Sequence, residues 1–234
     1  MNQIHFIGGE KGGVGKSVVA RLLAQYCIDR HVNFAAFDTD KSHGALMRFY
    51  SDYASPVVVD RYDSLDQLVE AGPHAGDRVT LVDMAAQTHE FLGRWLADSS
   101  LLETWQELGV SLTYWHVMDS GRDSVDLLRR LLDQLGGKVG LVLVLNEIRG
   151  EDFALLEESG ERSRALALGA RVLRIRRLAD STMQKIDRHS SSFWAAVHST
   201  DPGIGALGLL ERQRVKSWIA RSFEQIETVL GARA

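Results

Sequence analysis

An apolar segment, a glycine-rich loop and an amphipathic segment follow one another at the start of the chain, and this order constrains the fold more than any other feature. Residues 3–7 form an apolar run too short for a helix, which predicts a buried strand. Residues 8–17 have the sequence GGEKGGVGKS, and the apolar spacing that follows, over residues 18–24, predicts a helix. The glycine loop is therefore predicted to connect the end of a strand to a helix N-terminus.

A loop in this position is suited to binding phosphate. Unpaired backbone N–H groups and the positive end of the helix dipole attract anions, and glycines let the backbone close around them. Lys16 is predicted to reach the β- and γ-phosphates of a nucleotide, and the Ser17 hydroxyl to bind a Mg²⁺ that bridges them. The alternative is a glycine-rich turn that only joins the two elements. The predicted nucleotide-binding residues are Gly12, Gly13, Val14, Gly15, Lys16, Ser17 and Val18.

The loop departs from the general P-loop pattern at one position and adds a second lysine. Glu10 stands where that pattern has glycine, and Lys11 follows it. The segment KGGVGKS resembles the deviant Walker A motif of the CobQ/CobB/MinD/ParA (MinD/ParA) nucleotide-binding family of P-loop ATPases. This resemblance implies that Lys11 reaches across an ATP-dependent homodimer to the nucleotide of the partner subunit. A second buried ammonium group needs an anion of its own, which fits that role.

Carboxylates follow two further predicted strands. Residues 32–37 are predicted to form a strand that ends at Asp38 and Asp40, and residues 79–83 a strand that ends in Asp83. In α/β sheets the C-terminal ends of strands carry the chemistry. The family resemblance implies that Asp40 lies near Mg²⁺ and the attacking water, with Asp38 in support; the alternative is that this polar strand end caps the next helix. Asp83 has the pattern of a Walker B aspartate that holds Mg²⁺ through water.

These assignments define the candidate site. The predicted catalytic residues are Lys11, Lys16 and Asp40, and the predicted metal-binding residues are Ser17, Asp40 and Asp83.

The rest of the chain continues the alternation of strands and helices. Strands are predicted at residues 56–60, 111–118, 139–145 and 170–175, and helices at residues 123–135 and 207–230 among others. This order predicts an α/β fold: a doubly wound, mainly parallel sheet with helices on both faces. We expect residues 1–234 to form a single nucleotide-binding domain on which the C-terminal helix docks. The family resemblance implies that Asn146, at a strand end, contacts the adenine ring, and Arg149 stands where a GTPase would have the aspartate that binds guanine.

Two segments leave their role open. Residues 84–88, MAAQT, stand where the family has its glycine-containing switch II. This replacement is compatible with slow hydrolysis and also with nucleotide binding that is followed by little hydrolysis. Arg171, Arg174, Arg176 and Arg177 could form a patch for a phosphate backbone or could be solvated charges at a sheet edge.

Composition and charge argue against several classes of protein. A net charge of −4 and a pI near 6.1 do not favour nucleic-acid binding by the whole surface. Cys27 is the only cysteine, so a disulfide framework within one chain is excluded and a reducing, cytoplasmic setting is expected. The N-terminus has no leader pattern and the sequence has no apolar run of membrane-span length. Because the polar side of the last helix mixes both signs of charge, we expect docking rather than stable membrane association.

Together these patterns predict a Mg²⁺-dependent, ATP-hydrolysing molecular switch that cycles between ATP and ADP. Residues 118–175 and the segments Ser192-Phe193-Trp194 and Arg212-Gln213-Arg214 also resemble plasmid conjugal-transfer proteins of the TraL type. The second resemblance implies a role in plasmid partition or conjugal DNA transfer, with DNA or a partition or transfer protein as partner. The alternative functions are a small-molecule kinase or ligase that uses the same loop, and a nucleotide-binding module with little hydrolysis.

Overall fold

The computed structural model describes residues 2–9, 11–40, 44–59, 61–70, 78–86, 88, 93–96, 100–200 and 207–231. Within these residues a seven-stranded sheet has the order β3-β2-β4-β1-β5-β6-β7. Every neighbouring pair of strands is parallel. The strands are β1 (Gln3–Gly8), β2 (Phe34–Asp38), β3 (Ala54–Pro56), β4 (Val79–Asp83), β5 (Ser111–Met118), β6 (Gly140–Asn146) and β7 (Arg171–Ile175).

Helices connect the strands and cover the sheet. They are α1 (Lys16–Asp29), α2 (Ala45–Phe49), α3 (Tyr62–Glu70), α4 (Leu101–Glu107), α5 (Arg122–Leu135), α6 (Ala154–Glu158), α7 (Glu161–Ala167), α8 (Asp180–Arg188), α9 (Phe193–His198) and α10 (Leu209–Leu230). A 3₁₀ turn, Glu147–Arg149, follows β6. The predicted doubly wound, parallel α/β fold is confirmed.

One strand was predicted in the wrong place. The sequence favoured residues 56–60, whereas β3 spans Ala54–Pro56 and lies at the edge of the sheet. The amide of Val57 still donates to the carbonyl oxygen of Asp38 at 2.9 Å, but β2 ends at Asp38 and offers no partner beyond it. Val58 and Val59 therefore have no strand with which to pair.

Side chains alternate between two hydrophobic clusters, one on each face of the sheet. In β6, Val142 and Val144 belong to the cluster that also contains buried residues of α1 and α10. Leu143 and Leu145 belong to the cluster that contains buried residues of α5. Burial on both faces explains why the strands are almost continuously apolar and why their polar residues gather at the ends.

The last helix packs along the edge strand of the sheet. Val215, Phe223 and Ile226 of α10 are buried in the cluster that they share with α1. Trp218 is also buried, and its indole N–H donates to the carbonyl oxygen of Arg176 at 2.7 Å. None of the helices in the described ranges combines the length and the apolar character that crossing a membrane requires.

A buried arginine fastens α1, the helix that follows the glycine loop, to three other helices, α2, α8 and α9. Arg21 is 2% exposed, and its guanidinium lies 3.5 Å from the ring centre of Phe49 in α2 and 4.6 Å from that of Phe193 in α9. Nη1 donates to Oδ1 of Asp187 at 2.8 Å, and Nε and Nη2 are buried without a hydrogen-bond partner among the described residues. The cation thus depends on one carboxylate and two aromatic faces.

We predict that removing the carboxylate costs more stability than removing the cation. Asp187→Ala leaves the guanidinium buried and unpaired and should lower the free energy of unfolding by about 2 kcal/mol, a value reduced for the partial exposure of Asp187. Arg21→Met fills a similar volume between the two rings and should change it by less than about 1 kcal/mol. Chemical denaturation measures both changes. A larger loss for Arg21→Met than for Asp187→Ala would contradict this account.

Candidate functional site

The loop between β1 and α1 has a backbone that only glycine can follow at several positions. Gly13 and Gly15 have φ angles of 74° and 91°, in the left-handed region. A Cβ atom on Gly15 would lie 2.2 Å from Nδ2 of Asn146, and one on Gly9 would lie 2.5 Å from the carbonyl oxygen of Val117. Glu10 lies outside the described residues. The loop is therefore packed tightly on the ends of β5 and β6.

The loop borders a cavity of about 290 Å³ at the C-terminal edge of the sheet. This cavity brings together most of the residues predicted to bind nucleotide and metal. Its lining residues are Gly12, Gly13, Gly15, Lys16, Ser17, Val18, Asp38, Asp40, Asp83, Met84, Ala85 and Ala86. Val14 is fully buried behind the loop instead.

Lys16 is folded into the loop. Its ammonium donates to the carbonyl oxygen of Lys11 at 3.0 Å, and the residue is buried. Burial lowers the pKa of Lys16, while the charges of Asp83 and Asp40 act in the opposite direction. An incoming phosphate would supply the negative charge that a buried ammonium favours.

Asp83 is a carboxylate placed where ionisation is costly. It is 3% exposed, and burial raises its pKa to about 7; the nearby charge of Asp38 adds to the rise, while a hydrogen bond from Ser17 and the charge of Lys16 oppose it. Oδ1 of Asp83 is buried and has no hydrogen-bond partner among the described residues. An orphaned carboxylate oxygen beside a serine hydroxyl fits a divalent cation with oxygen ligands.

Protein side chains alone do not complete a metal site here. Among the described residues, no three His, Cys, Asp or Glu side chains converge closely enough to hold a metal ion. A Mg²⁺ ion held by Ser17, Asp40 and Asp83, directly or through water, would therefore need phosphate oxygens and water as further ligands.

Asp38 and Asp40 have different surroundings, although they are two residues apart. Oδ2 of Asp38 accepts hydrogen bonds from the amides of Leu46 and Met47, at 2.9 and 3.2 Å, at the start of α2. Oδ1 accepts the amide of Asp40 at 3.0 Å. Burial nevertheless raises the pKa of Asp38. The capping interpretation therefore describes Asp38, although both Asp38 and Asp40 line the cavity.

Thr39, which the sequence analysis did not single out, joins the two carboxylate-bearing strands. Its hydroxyl donates to the carbonyl oxygen of Asp83 at 3.1 Å and accepts the amide of Ala85 at 2.7 Å. The segment after β4 is thereby fixed to the end of β2. The available signal was a hydroxyl residue between two carboxylates at the end of a buried strand. Gln87, within the altered switch II, lies outside the described residues.

Lys11 is paired within its own chain. Its ammonium lies 3.3 Å from Oδ1 and 3.2 Å from Oδ2 of Asp119, the residue that follows β5, and 3.6 Å from Asp123. Asp119 was not among the predicted site residues, although it is a third carboxylate at the end of a buried strand. A contact of Lys11 with a partner subunit's nucleotide stays a prediction.

Asn146 anchors the glycine loop to the end of β6. It is buried, and its amide nitrogen donates to the carbonyl oxygen of Val14 at 2.8 Å. This contact explains why the last residue of β6 is polar without involving a ligand. The predicted contact between Asn146 and adenine is not tested by this arrangement.

The arginines of residues 171–177 are mostly used inside the chain. Arg171 donates to the carbonyl oxygen of Val229, and Arg177 pairs with Asp180. Arg174 lies 3.2 Å from Oε1 of Glu147. These contacts favour the interpretation of edge charges over that of a preformed patch for a phosphate backbone.

A comparison with protein-family models matches residues 5–190 to the CobQ/CobB/MinD/ParA nucleotide-binding domain. The match covers the glycine loop, the carboxylates of β2 and β4, and Asn146. Among solved structures, MinD of Aquifex aeolicus aligns with a TM-score of 0.51 and 11% identity over 94% of this chain and 97% of its own, which supports the fold alone.

Two curated relatives are similar in sequence. Protein TraL of Escherichia coli is 26% identical over 97% of this chain and 98% of its own length. Protein MobD of Acidithiobacillus ferrooxidans is 28% identical over 56% of this chain, and the match spans 58% of MobD. The resemblance to TraL-type proteins is confirmed.

The buried carboxylate of Asp83 predicts a pH dependence of stability. Its pKa is about 7 in the folded protein, against 3.8 as the ordinary value, so between these limits the folded state binds a proton that the unfolded state does not. The free energy of unfolding of the nucleotide-free protein should therefore fall as the pH rises from 4 to 7. Asp83→Asn should remove part of this fall.

Chemical denaturation across this pH range, without nucleotide or Mg²⁺, measures the dependence. Asp63→Asn is a matched control, because Asp63 is exposed and its pKa is lowered, chiefly by a hydrogen bond from Arg61. If Asp83→Asn and the wild type show the same dependence on pH, Asp83 does not carry a raised pKa.

Proposed function

Since this chain belongs to the CobQ/CobB/MinD/ParA nucleotide-binding family, we propose that it is an ATP-dependent molecular switch. It binds ATP with Mg²⁺, dimerises around the nucleotide and hydrolyses it slowly. The observation that carries the proposal is the cavity in which the loop, Lys16 and Ser17 face Asp40 and Asp83.

Different residues of the chain bind the phosphates and the metal ion. Backbone N–H groups of the loop and the Lys16 ammonium neutralise the phosphates, and Ser17 and Asp83 hold the metal side of the cavity. Asp40 lines the same cavity and orients the attacking water. A bound Mg²⁺ would supply neutralisation of the charge that develops on the phosphate oxygens.

The relatives suggest where the switch acts. Protein TraL aligns over nearly the whole chain, which supports a role in conjugal DNA transfer or plasmid partition. The partner in this proposal is DNA or a protein of the transfer or partition machinery. Because most arginines of residues 171–177 are paired within the chain, we do not assign the partner contact to them.

We predict that calorimetric titration will show tighter binding of Mg²⁺-ATP than of Mg²⁺-GTP. Lys16→Ala should abolish ATP binding, because the lysine meets charge that is present in the ground state. Asp40→Ala should retain binding and lose most of the hydrolysis, because Asp40 is proposed to act on the attacking water. Equal or tighter GTP binding, or an Asp40→Ala protein that hydrolyses ATP normally, would count against these assignments.

Lys11 separates the switch from a kinase or a passive binding module. Light scattering should show a monomer with ADP and a dimer with a non-hydrolysable ATP analogue, because nucleotide buried between two subunits becomes part of their interface. Lys11→Ala should lose the dimer, keep most of the nucleotide affinity and hydrolyse ATP slower by on the order of 10³, as expected for a cation that acts on the developing charge.

The exposed Lys138 provides the matched control, since Lys138→Ala removes one positive charge away from the loop. An unchanged mass with the ATP analogue, or normal dimerisation and turnover by Lys11→Ala, would favour the kinase or module functions instead.

A further inference from the structure

An arginine lies beside the glycine loop, on the chain segment that follows β6. Arg149 ends the 3₁₀ turn Glu147–Arg149, and its side chain is 55% exposed. A Cβ atom on Gly13 would lie 3.3 Å from Nη2 of Arg149, so the guanidinium runs along the edge of the loop at a residue that lines the cavity. Neither the general P-loop pattern nor the residues predicted from the sequence assign a binding role to this arginine.

One buried carboxylate orients both cations of this region. The side chain of Asp119 is 1% exposed, and its Oδ2 lies 3.4 Å from Nε of Arg149 and 3.2 Å from Nζ of Lys11. Oδ1 accepts the Ser124 hydroxyl at 2.6 Å and the Gly121 amide at 3.1 Å. Burial opposes ionisation of Asp119, but the bonds from Ser124, Gly121 and Lys11 outweigh it and hold its pKa below the usual range.

Gly121 leaves space beside Asp119 for the ammonium of Lys11. A Cβ atom on Gly121 would lie 2.9 Å from Nζ of Lys11 and 3.1 Å from Oδ1 of Asp119. A Cβ atom at this position would require the flexible end of the Lys11 side chain to shift. Asp119 engages Arg149 through Nε, which leaves the N–H groups of Nη1 and Nη2 able to bind an oxyanion.

The charged residues that line the cavity indicate what an additional cation beside the loop would do. Asp38, Asp40 and Asp83 line it together with Lys16, so carboxyl groups outnumber side-chain cations among the lining residues. ATP and ADP carry more negative charge than one Mg²⁺ ion neutralises, so a further cation beside the loop would stabilise the bound polyphosphate. A guanidinium is well suited to this task, because it keeps its charge and binds phosphate oxygens with paired N–H groups.

We propose that Arg149 is a nucleotide-contacting residue that binds the polyphosphate in its own chain's loop, and that Asp119 is the residue that positions it. The inference rests on the proposed function, because it requires a nucleotide in the loop. It goes beyond that function by giving the loop a cation from the end of β6, in addition to Lys16 and to the partner-directed Lys11.

Isothermal titration of the full chain with Mg²⁺-ATP and Mg²⁺-ADP tests the proposal. Arg149→Gln should weaken ATP binding about tenfold, the size expected for one charge-assisted contact that is partly exposed to water. Arg149→Lys keeps the charge without the paired N–H groups and should weaken it about threefold. Arg130→Gln removes one positive charge from an exposed position of α5 and should leave binding unchanged.

Asp119→Asn tests the positioning role. It should weaken ATP binding, and adding Arg149→Gln to it should cause little further loss, since both changes disable one contact. Thermal unfolding of each variant shows whether the fold is intact. A merely structural Arg149–Asp119 pair would lower the melting temperature of Arg149→Gln and leave nucleotide affinity unchanged, a result that overturns the inference.

The outcomes separate this inference from the proposed function. If the wild type binds ATP and Arg149→Gln binds it equally well, Arg149 does not contact the nucleotide and the proposed function stands. If the wild type binds no ATP, both are overturned.

Discussion

The parallel alignment of β1 between β4 and β5 is the constraint on which the site depends. In the hydrogen-bonded register, Ile7 lies opposite Asp83 of β4, and Gly8 lies opposite His116 of β5. The loop that leaves β1 therefore emerges between the carboxylate at the end of β4 and the one that follows β5. Because both faces of the sheet are buried, the carboxylates of β2 and β4 stand at the ends of these strands, where ligands or other chain segments can compensate them.

The two carboxylates that flank the loop are compensated in different ways. Asp119 accepts hydrogen bonds at Oδ1, while its Oδ2, which also has no hydrogen-bond partner among the described residues, lies beside the cations of Lys11 and Arg149, and its pKa is lowered. Asp83 keeps one oxygen without a partner among the described residues, and burial raises its pKa to about 7. A buried group that is left incomplete by the protein is completed by what binds there. The side of the loop toward β4 is thus suited to a ligand's cation, and the side toward β5 holds the protein's own cations.

Much of the fold and part of the site followed from local sequence patterns. Apolar runs with polar ends predicted β1, β2 and β4 to within two residues. The glycine loop with Lys16 and Ser17 predicted a phosphate-binding site, and the structure has a cavity at this loop. The strand expected at residues 56–60 was wrong, because strand pairing depends on a neighbour that local propensity cannot see. For Asp38 and Asp40 the sequence left two interpretations open, and the amides of α2 distinguish the two residues.

The sequence by itself determined the order strand, glycine loop, helix, the alternation that makes a parallel sheet, and the residue types that line the cavity. These properties depend on a few neighbouring residues and on the periods of strand and helix. Only the tertiary structure decided which partner each charged group has: Lys11 with Asp119, Arg149 beside Gly13, and Asn146 under Val14. These partners are far apart in sequence, and the packing of strands and helices, not local chain geometry, brings them within hydrogen-bonding distance.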